Sequence, residues 1–85
     1  MKVFYFAWVR DKIGLESEEF DLPTHIKTAG EFIEWFKCRG DAYAEVISAS
    51  DTVKMAVNQE YAGPKHPISN DDEVALFPPV TGGKS

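Results

Sequence analysis

The side chains best suited to catalysis are few in this sequence and lie far apart. His25 and His66 are isolated, and a lone histidine in a loop near a proline is usually a turn residue. The acidic run 71–73 could bind a cation, but such a run at a turn is usually only solvated. Cys38 could carry a reactive thiol, although a helical cysteine is commonly a small packing residue. The sequence contains no Ser-His-Asp set, phosphate-binding glycine loop or metal-ligand spacing, so it does not predict a stand-alone enzyme.

The C-terminal segment is the most informative part of the chain. Pro78 and Pro79 end the last predicted strand, because proline has no N–H to give to the ladder. Residues 78–83 can extend over about 20 Å, and they end in Gly82-Gly83. A thread without Cβ atoms could enter a tunnel that any larger residue would obstruct, and glycine accepts whatever backbone angles the tunnel requires. The alternative is a frayed terminus of small residues, which is common.

Composition and charge limit the possible partners. The chain has 85 residues, enough for one small domain, and 44% of them are hydrophobic, which argues against disorder. No stretch approaches the roughly 20 apolar residues of a membrane helix, and no signal peptide is recognisable. With a single cysteine, these features predict a cytoplasmic protein. A net charge of −5 disfavours nucleic acid and favours a protein partner of opposite charge.

The pattern of apolar residues predicts four strands. Residues 2–9 and 16–22 alternate and should form a hairpin, with a turn at 10–14. Residues 52–58 form a third strand, 61–66 an irregular segment, and Glu73–Phe77 the last strand, after a turn at the acidic run. Because the second face of the first strand is also aromatic, that strand is either covered on both faces or exposes part of a docking surface.

One main helix is predicted in the middle of the chain. Thr28 and Glu31 form a capping box, and Gly40 suits the position after the helix. The apolar face of this helix comprises Ala29, Phe32, Ile33 and Phe36. A short second helix is predicted over 41–47. A helix that follows a hairpin must cover one face of the sheet, so we predict a two-layer α+β domain of β-grasp type over residues 1–77, with a mixed sheet and a flexible tail over 78–85.

Three stretches resemble a known family. Residues 3–10, 56–60 and above all 72–83, which read DEVALFPPVTGG, are similar to the small subunit of molybdopterin synthase, in the ubiquitin-like MoaD/ThiS family of sulfur carriers. The resemblance covers essentially the whole chain. It implies a β-grasp fold and a carrier that does not itself catalyse a reaction.

The resemblance also implies a role for the C-terminal glycines. A partner resembling the ubiquitin-activating enzyme would use ATP to adenylate Gly83, which then becomes a thiocarboxylate, with Gly82 as the slim link behind it. The large synthase subunit would accept the tail, and sulfur would pass to cyclic pyranopterin monophosphate during molybdenum cofactor biosynthesis. The family assembles as a heterotetramer, and neither a bound cofactor nor a metal is expected on this chain.

The resemblance further implies that an apolar patch on the sheet near the tail docks both partners. By position it includes the following residues: Phe6, Tyr61, Phe77, Pro78, Pro79 and Val80. Core packing is the alternative role for its aromatic members. The sequence departs from the family because Lys84 and Ser85 follow Gly83. These two residues could be a cloning remnant, a segment removed in the cell, or the mark of a protein that docks without being charged with sulfur.

Three other functions remain open from the sequence. A carrier of the same fold could serve thiazole synthesis or tRNA thiolation. A ubiquitin-like modifier would be joined to lysines through Gly83. A plain interaction module would have an inert tail and would function without Gly82 and Gly83.

Overall fold

A computed structural model describes residues 1–48 and 53–78, which form a five-stranded sheet with helices on one face. The strands are β1 (Lys2–Tyr5), β2 (Ser17–Glu19), β3 (Lys54–Val57), β4 (Glu60–Tyr61) and β5 (Glu73–Phe77). The helices are α1 (Ala7–Ile13), α2 (Ala29–Phe36) and α3 (Asp41–Ser48), with a 3₁₀ turn at Lys37–Arg39 between α2 and α3.

The sheet is mixed, as a β-grasp domain requires. Its strand order is β2-β1-β5-β3-β4; β1 and β5 run parallel, and the other neighbours are antiparallel. Alternate residues of each central strand point towards the helices and are buried. The inward side chains are Val3, Tyr5, Met55, Val57, Val74 and Leu76. They pack in one core with the buried faces of α2 and α3, so the predicted two-layer α+β architecture is confirmed.

The main helix was predicted correctly from its capping box. The backbone N–H of Glu31 donates to Thr28 Oγ1 at 3.2 Å, and the Thr28 N–H donates to Glu31 Oε1 at 3.2 Å. Of its predicted apolar face, Ala29, Phe32 and Phe36 are buried and Ile33 is half-buried. The helix ends at Phe36, before the 3₁₀ turn, rather than continuing to Gly40. The predicted second helix is confirmed as α3.

The prediction that the first strand extends over 2–9 was wrong. The strand ends at Tyr5, and α1 begins at Ala7, whose backbone is left-handed with φ 54°. The Phe6 carbonyl accepts hydrogen bonds from the N–H groups of Val9 and Arg10 at 3.1 and 3.4 Å, and these bonds start the helix. β1 and β2 do pair antiparallel, but α1 connects them in place of the turn predicted at 10–14.

Three other predicted segments also differ from the structure. The strand predicted over 16–22 is only three residues long. The third strand, predicted over 52–58, covers Lys54–Val57. Its predicted first residue, Thr52, lies outside the described residues. The segment 61–66 is not wholly irregular, because Tyr61 belongs to β4. Asn58 and Gln59 form the turn between β3 and β4, with φ of 51° and 71°, as in a type I′ hairpin.

The last strand has the predicted bounds, and the segment before it fixes the start of α2. Val74 and Leu76 of β5 have no exposed surface. The N–H groups of Ala29 and Gly30, in the first turn of α2, donate to the carbonyls of His66 and Pro64 at 2.9 and 2.8 Å. Within the described ranges, no helix is long and apolar enough to cross a membrane.

Candidate docking face

The sheet surface opposite the helices carries a band of apolar side chains. Strand register places Phe4, Ala75, Ala56 and Tyr61 side by side across β1, β5, β3 and β4. Side chains on alternate strand positions share one face, so all four lie on the side away from α2. The ammonium of Lys2 lies 5.0 Å from the centre of the Phe4 ring.

Three aromatic residues named from the sequence lie at the end of this face where the chain leaves the sheet. Phe6 is 49% exposed and Tyr61 72% exposed, so neither belongs to the core. Phe77 is half-buried, and its ring centre lies 5.8 Å from that of Tyr61. The N–H of Phe6 donates to the Leu76 carbonyl at 3.2 Å, which places Phe6 beside the end of β5. We call this group, Phe4, Phe6, Tyr61 and Phe77, the aromatic face.

Phe4 was not among the predicted interface residues. It lies with Phe6 along a shallow cleft of about 260 Å³ that also includes Ala75 and Glu73. The signal was present in the sequence, because alternation puts Phe4 on the same side as Phe6 and opposite Val3. Trp8, which the same alternation placed beside them, instead lies in α1 and packs against the core.

Pro78 ends the pairing of β5 for a reason visible in the register. In the parallel ladder, Lys2 donates to the Asp72 carbonyl and Phe6 donates to the Leu76 carbonyl. The next bond of that series would run from the N–H of residue 78 to the Phe6 carbonyl. Proline has no N–H, and α1 already uses the Phe6 carbonyl. The other predicted site residues, Pro79, Val80, Gly82 and Gly83, lie outside the described residues.

The isolated titratable residues do not gather into a second site. His25 is exposed, and the exposed thiol of Cys38 donates to the Glu34 carbonyl at 3.5 Å. Asp72 is used structurally, since its carboxylate accepts from the Ser69 N–H at 2.8 Å and from the Asn58 amide at 3.0 Å. In the part of the chain that the structure describes, no three His, Cys, Asp or Glu residues lie close enough to hold a metal ion.

A polar cluster lies on the helix side of the sheet, away from the aromatic face. The Glu18 carboxylate accepts from the hydroxyls of Tyr5 and Tyr43 at 2.7 and 2.8 Å and pairs with Arg39 at 3.2 Å. The Arg39 guanidinium also stacks 4.5 Å from the ring centre of Phe20. This cluster ties the edge strand β2 to the 3₁₀ turn and α3.

The cluster shifts the pKa of its members. Burial opposes ionisation of Glu18, but hydrogen bonds from the two tyrosines and the charge of Arg39 outweigh it, so the pKa of Glu18 is lowered. Burial and the Glu18 hydrogen bond raise the pKa of Tyr5 well above its usual range, and the pKa of Tyr43 is raised for the same reasons. The arrangement therefore favours a charged Glu18 beside two neutral tyrosines. In these states the carboxylate accepts both hydroxyl hydrogen bonds, which stabilises the contact.

We expect this cluster to make the free energy of unfolding fall at acidic pH. Because the folded pKa of Glu18 lies below its ordinary value of 4.5, its contribution is present above about pH 4.5 and is lost as the pH falls through the folded pKa. Glu18→Gln should lower the free energy of unfolding at pH 7 by about 1–3 kcal/mol and flatten its fall below pH 4.5. Denaturant unfolding, carried out from about pH 2 to about pH 7, measures both effects. The exposed neighbour Glu19→Gln is the control; equal pH profiles for Glu18→Gln and the unsubstituted protein would contradict the assignment.

Comparison with known proteins identifies the family. The sequence pattern of the ThiS family matches residues 3–83, which is nearly the whole chain. The chain belongs to the ThiS family. The molybdopterin synthase sulfur carrier subunit of Dictyostelium discoideum is 36% identical to this chain over 84 residues, covering 96% of this chain and 94% of that protein.

Solved structures confirm the β-grasp fold of this ThiS-family chain. Molybdopterin converting factor subunit 1 from Pyrococcus furiosus superposes with a TM-score of 0.76 at 31% identity, covering 93% of this chain and 95% of that chain. SAMP1 from Haloferax volcanii, a small archaeal modifier protein, superposes with a TM-score of 0.75 at 26% identity and 98% coverage of both chains. The fold of this ThiS-family chain thus occurs both in a molybdopterin converting factor subunit and in a protein named as a modifier.

Proposed function

We propose that this ThiS-family chain is the sulfur carrier subunit of a molybdopterin synthase. The observation that carries the proposal is full-length similarity to proteins of that name, at 36% identity for the Dictyostelium discoideum relative. The structure supports it with an aromatic face that ends where β5 leads into the Gly82-Gly83 segment. A carrier needs such a combination, because one surface must hold the partner while the terminal residue reaches its active site.

The proposed chemistry takes place at the carboxyl group of Gly83. A free carboxylate is a poor electrophile, because its oxygen is a poor leaving group. The activating adenylyltransferase therefore joins the carboxylate to AMP from ATP and releases pyrophosphate. A sulfur donor then displaces AMP and leaves a thiocarboxylate. While an amide joins Gly83 to Lys84, no carboxylate is available, so this route requires removal of Lys84 and Ser85.

The remaining machinery is assigned to the partners. The large synthase subunit binds the tail and cyclic pyranopterin monophosphate, and two sulfur transfers build the dithiolene that later holds molybdenum. The carrier itself is not a catalyst, holds no cofactor and works in the cytoplasm. The aromatic face, together with Pro78, Pro79 and Val80, forms the contact. A contact of ordinary size would bury about 800 Å² on each partner.

Intact mass spectrometry of the protein purified from its own cells tests the proposal directly. We expect a chain that ends at Gly83, with a fraction of molecules heavier by the exchange of one oxygen for sulfur. That result would establish removal of Lys84-Ser85 and charging together. A chain that keeps both residues, with no sulfur-bearing form, would contradict the carrier function and leave only the fold.

A second candidate is a ubiquitin-like modifier, which the similarity to SAMP1 favours. In that function an acyl-activated Gly83 forms an amide with a lysine of a target protein. Immunoblots of cell extracts distinguish the two functions, because a modifier produces a ladder of high-mass conjugates and a carrier does not. A protein that forms conjugates but never carries sulfur would favour the modifier over the carrier.

A further inference from the structure

Two lysines point outward from the sheet on the side of the aromatic face, and their surroundings differ. Lys2 lies at the end of the face remote from Pro78. Its register partners are Glu19 on β2 and Glu73 on β5, and its ammonium lies over the Phe4 ring. Lys2 therefore has two carboxylates of its own chain at neighbouring strand positions.

Lys54 lies at the other end, beside the aromatic pair. It is exposed and lies directly opposite Phe77 in the β3–β5 ladder. On its other side lies Gly63, which has no side chain. This position follows from the β3–β4 register, which the hydrogen bond from the Ala62 N–H to the Met55 carbonyl extends. Among the ion pairs formed by residues 1–48 and 53–78, none includes Lys54 or Lys2, but only Lys2 has carboxylates at neighbouring strand positions.

A cation whose described neighbours in the sheet carry no charge has a consequence for docking. The chain as a whole carries a net charge of −5, so one positive charge beside an apolar contact is a local exception. When a partner covers Phe77 and Tyr61, it also removes water from the neighbouring ammonium. Desolvating a charge without a counter-charge is costly, whereas an opposing carboxylate offsets that cost. A partner that covers this end of the face must therefore present an acidic group opposite Lys54, or it binds weakly.

We propose that Lys54 determines partner specificity by pairing with a carboxylate of the large synthase subunit. The inference rests on the proposed function, and it names one residue and the chemistry of its partner within that contact. A lysine at an exposed strand position could instead serve only to keep the surface polar. A glutamate would serve that purpose equally well, so charge reversal separates the two roles.

The experiment measures binding of the large subunit from the same organism to three forms of the full chain. Lys54→Glu should weaken binding by about tenfold or more at low salt, and the difference should shrink as salt screens the charges. Lys54→Met, which keeps the apolar stem and removes the charge, should show a smaller loss. Lys27→Glu is the matched control, because it changes the net charge equally but lies next to the start of α2 in the helix layer.

Each outcome decides between the roles. Binding of Lys54→Glu equal to that of the unsubstituted chain, or an equal loss in Lys27→Glu, would overturn the specificity role of Lys54. If Tyr61→Asp abolishes binding in the same experiment, the docking face stands and only the assignment of Lys54 fails. If the unsubstituted chain itself does not bind the large subunit, both the proposed function and this inference are wrong. Thermal unfolding of each variant checks that the fold is intact.

Discussion

We expect a chain that ends at Thr81, without Gly82 and Gly83, to transfer no sulfur to the pterin precursor. Such a chain still has a terminal carboxylate, but it is two residues and about 7 Å shorter. It also ends in a β-branched side chain in place of a bare backbone. Both changes act against adenylation and against entry into the large subunit. The effect is measured in a reconstituted synthase reaction as the amount of dithiolene product formed.

The matched control is a chain that ends at Gly83, without Lys84 and Ser85. We expect this form to be active, because its carboxylate is free and the two glycines are intact. Equal thermal unfolding of the two truncated chains would show that the difference lies in the chemistry of the terminus. Sulfur transfer by the chain ending at Thr81 would contradict the role of Gly83 and would favour an interaction module with an inert tail.

The elements that the sequence predicted best are those whose signals are local. Thr28 and Glu31 are three residues apart, so their capping box is readable without tertiary structure. β5 was also predicted with its observed bounds, because Pro78 marks one end and a turn marks the other. Each of these signals depends on residues that lie within a few positions of one another in the sequence.

The end of β1 could not be predicted for the opposite reason. Val9 is fully buried in α1, and alternation through a continuous strand would also have placed it on the same side as Val3 and Tyr5. Strand and helix periods thus coincide over this short run. The decisive feature is the left-handed backbone of Ala7, and alanine gives no sign of it. β4 was missed because it has only two residues, and its turn uses Asn58-Gln59, where Asn-Gly would have been the familiar hairpin signal.

Long-range pairing also explains what was missed around the candidate site. Phe6, Tyr61 and Phe77 were named by analogy with the family, but their common location depends on the pairing of β5 with β1 and β3, and of β3 with β4. The carboxylate neighbours of Lys2 and the uncharged strand neighbours of Lys54 are likewise consequences of register. The Glu18 cluster joins β1, β2, the 3₁₀ turn and α3, and none of these contacts is visible along the chain.

Phe77→Asp should weaken binding of the large subunit by about 100-fold or more. The substitution removes an aromatic ring that packs 5.8 Å from Tyr61 and puts a carboxylate where an apolar contact must exclude water. In the free protein this carboxylate could pair with Lys54, which lies opposite, but docking would still have to desolvate the pair. Calorimetric titration with the large subunit measures the change in affinity, and thermal unfolding checks the fold, because Phe77 is half-buried.

Tyr61→Asp keeps the test decisive if Phe77→Asp does not fold. Tyr61 is 72% exposed, so a charge there costs little in the free domain, yet it would be buried with Phe77 if the aromatic face is the interface. Ala44→Asp, at an exposed position of α3 in the helix layer, adds the same charge and should bind normally. If the Tyr61 and Phe77 variants both fold and bind as tightly as the Ala44 variant, the partner does not cover the aromatic face. The tail would then have to reach the active site of the large subunit while that subunit contacts another part of this domain.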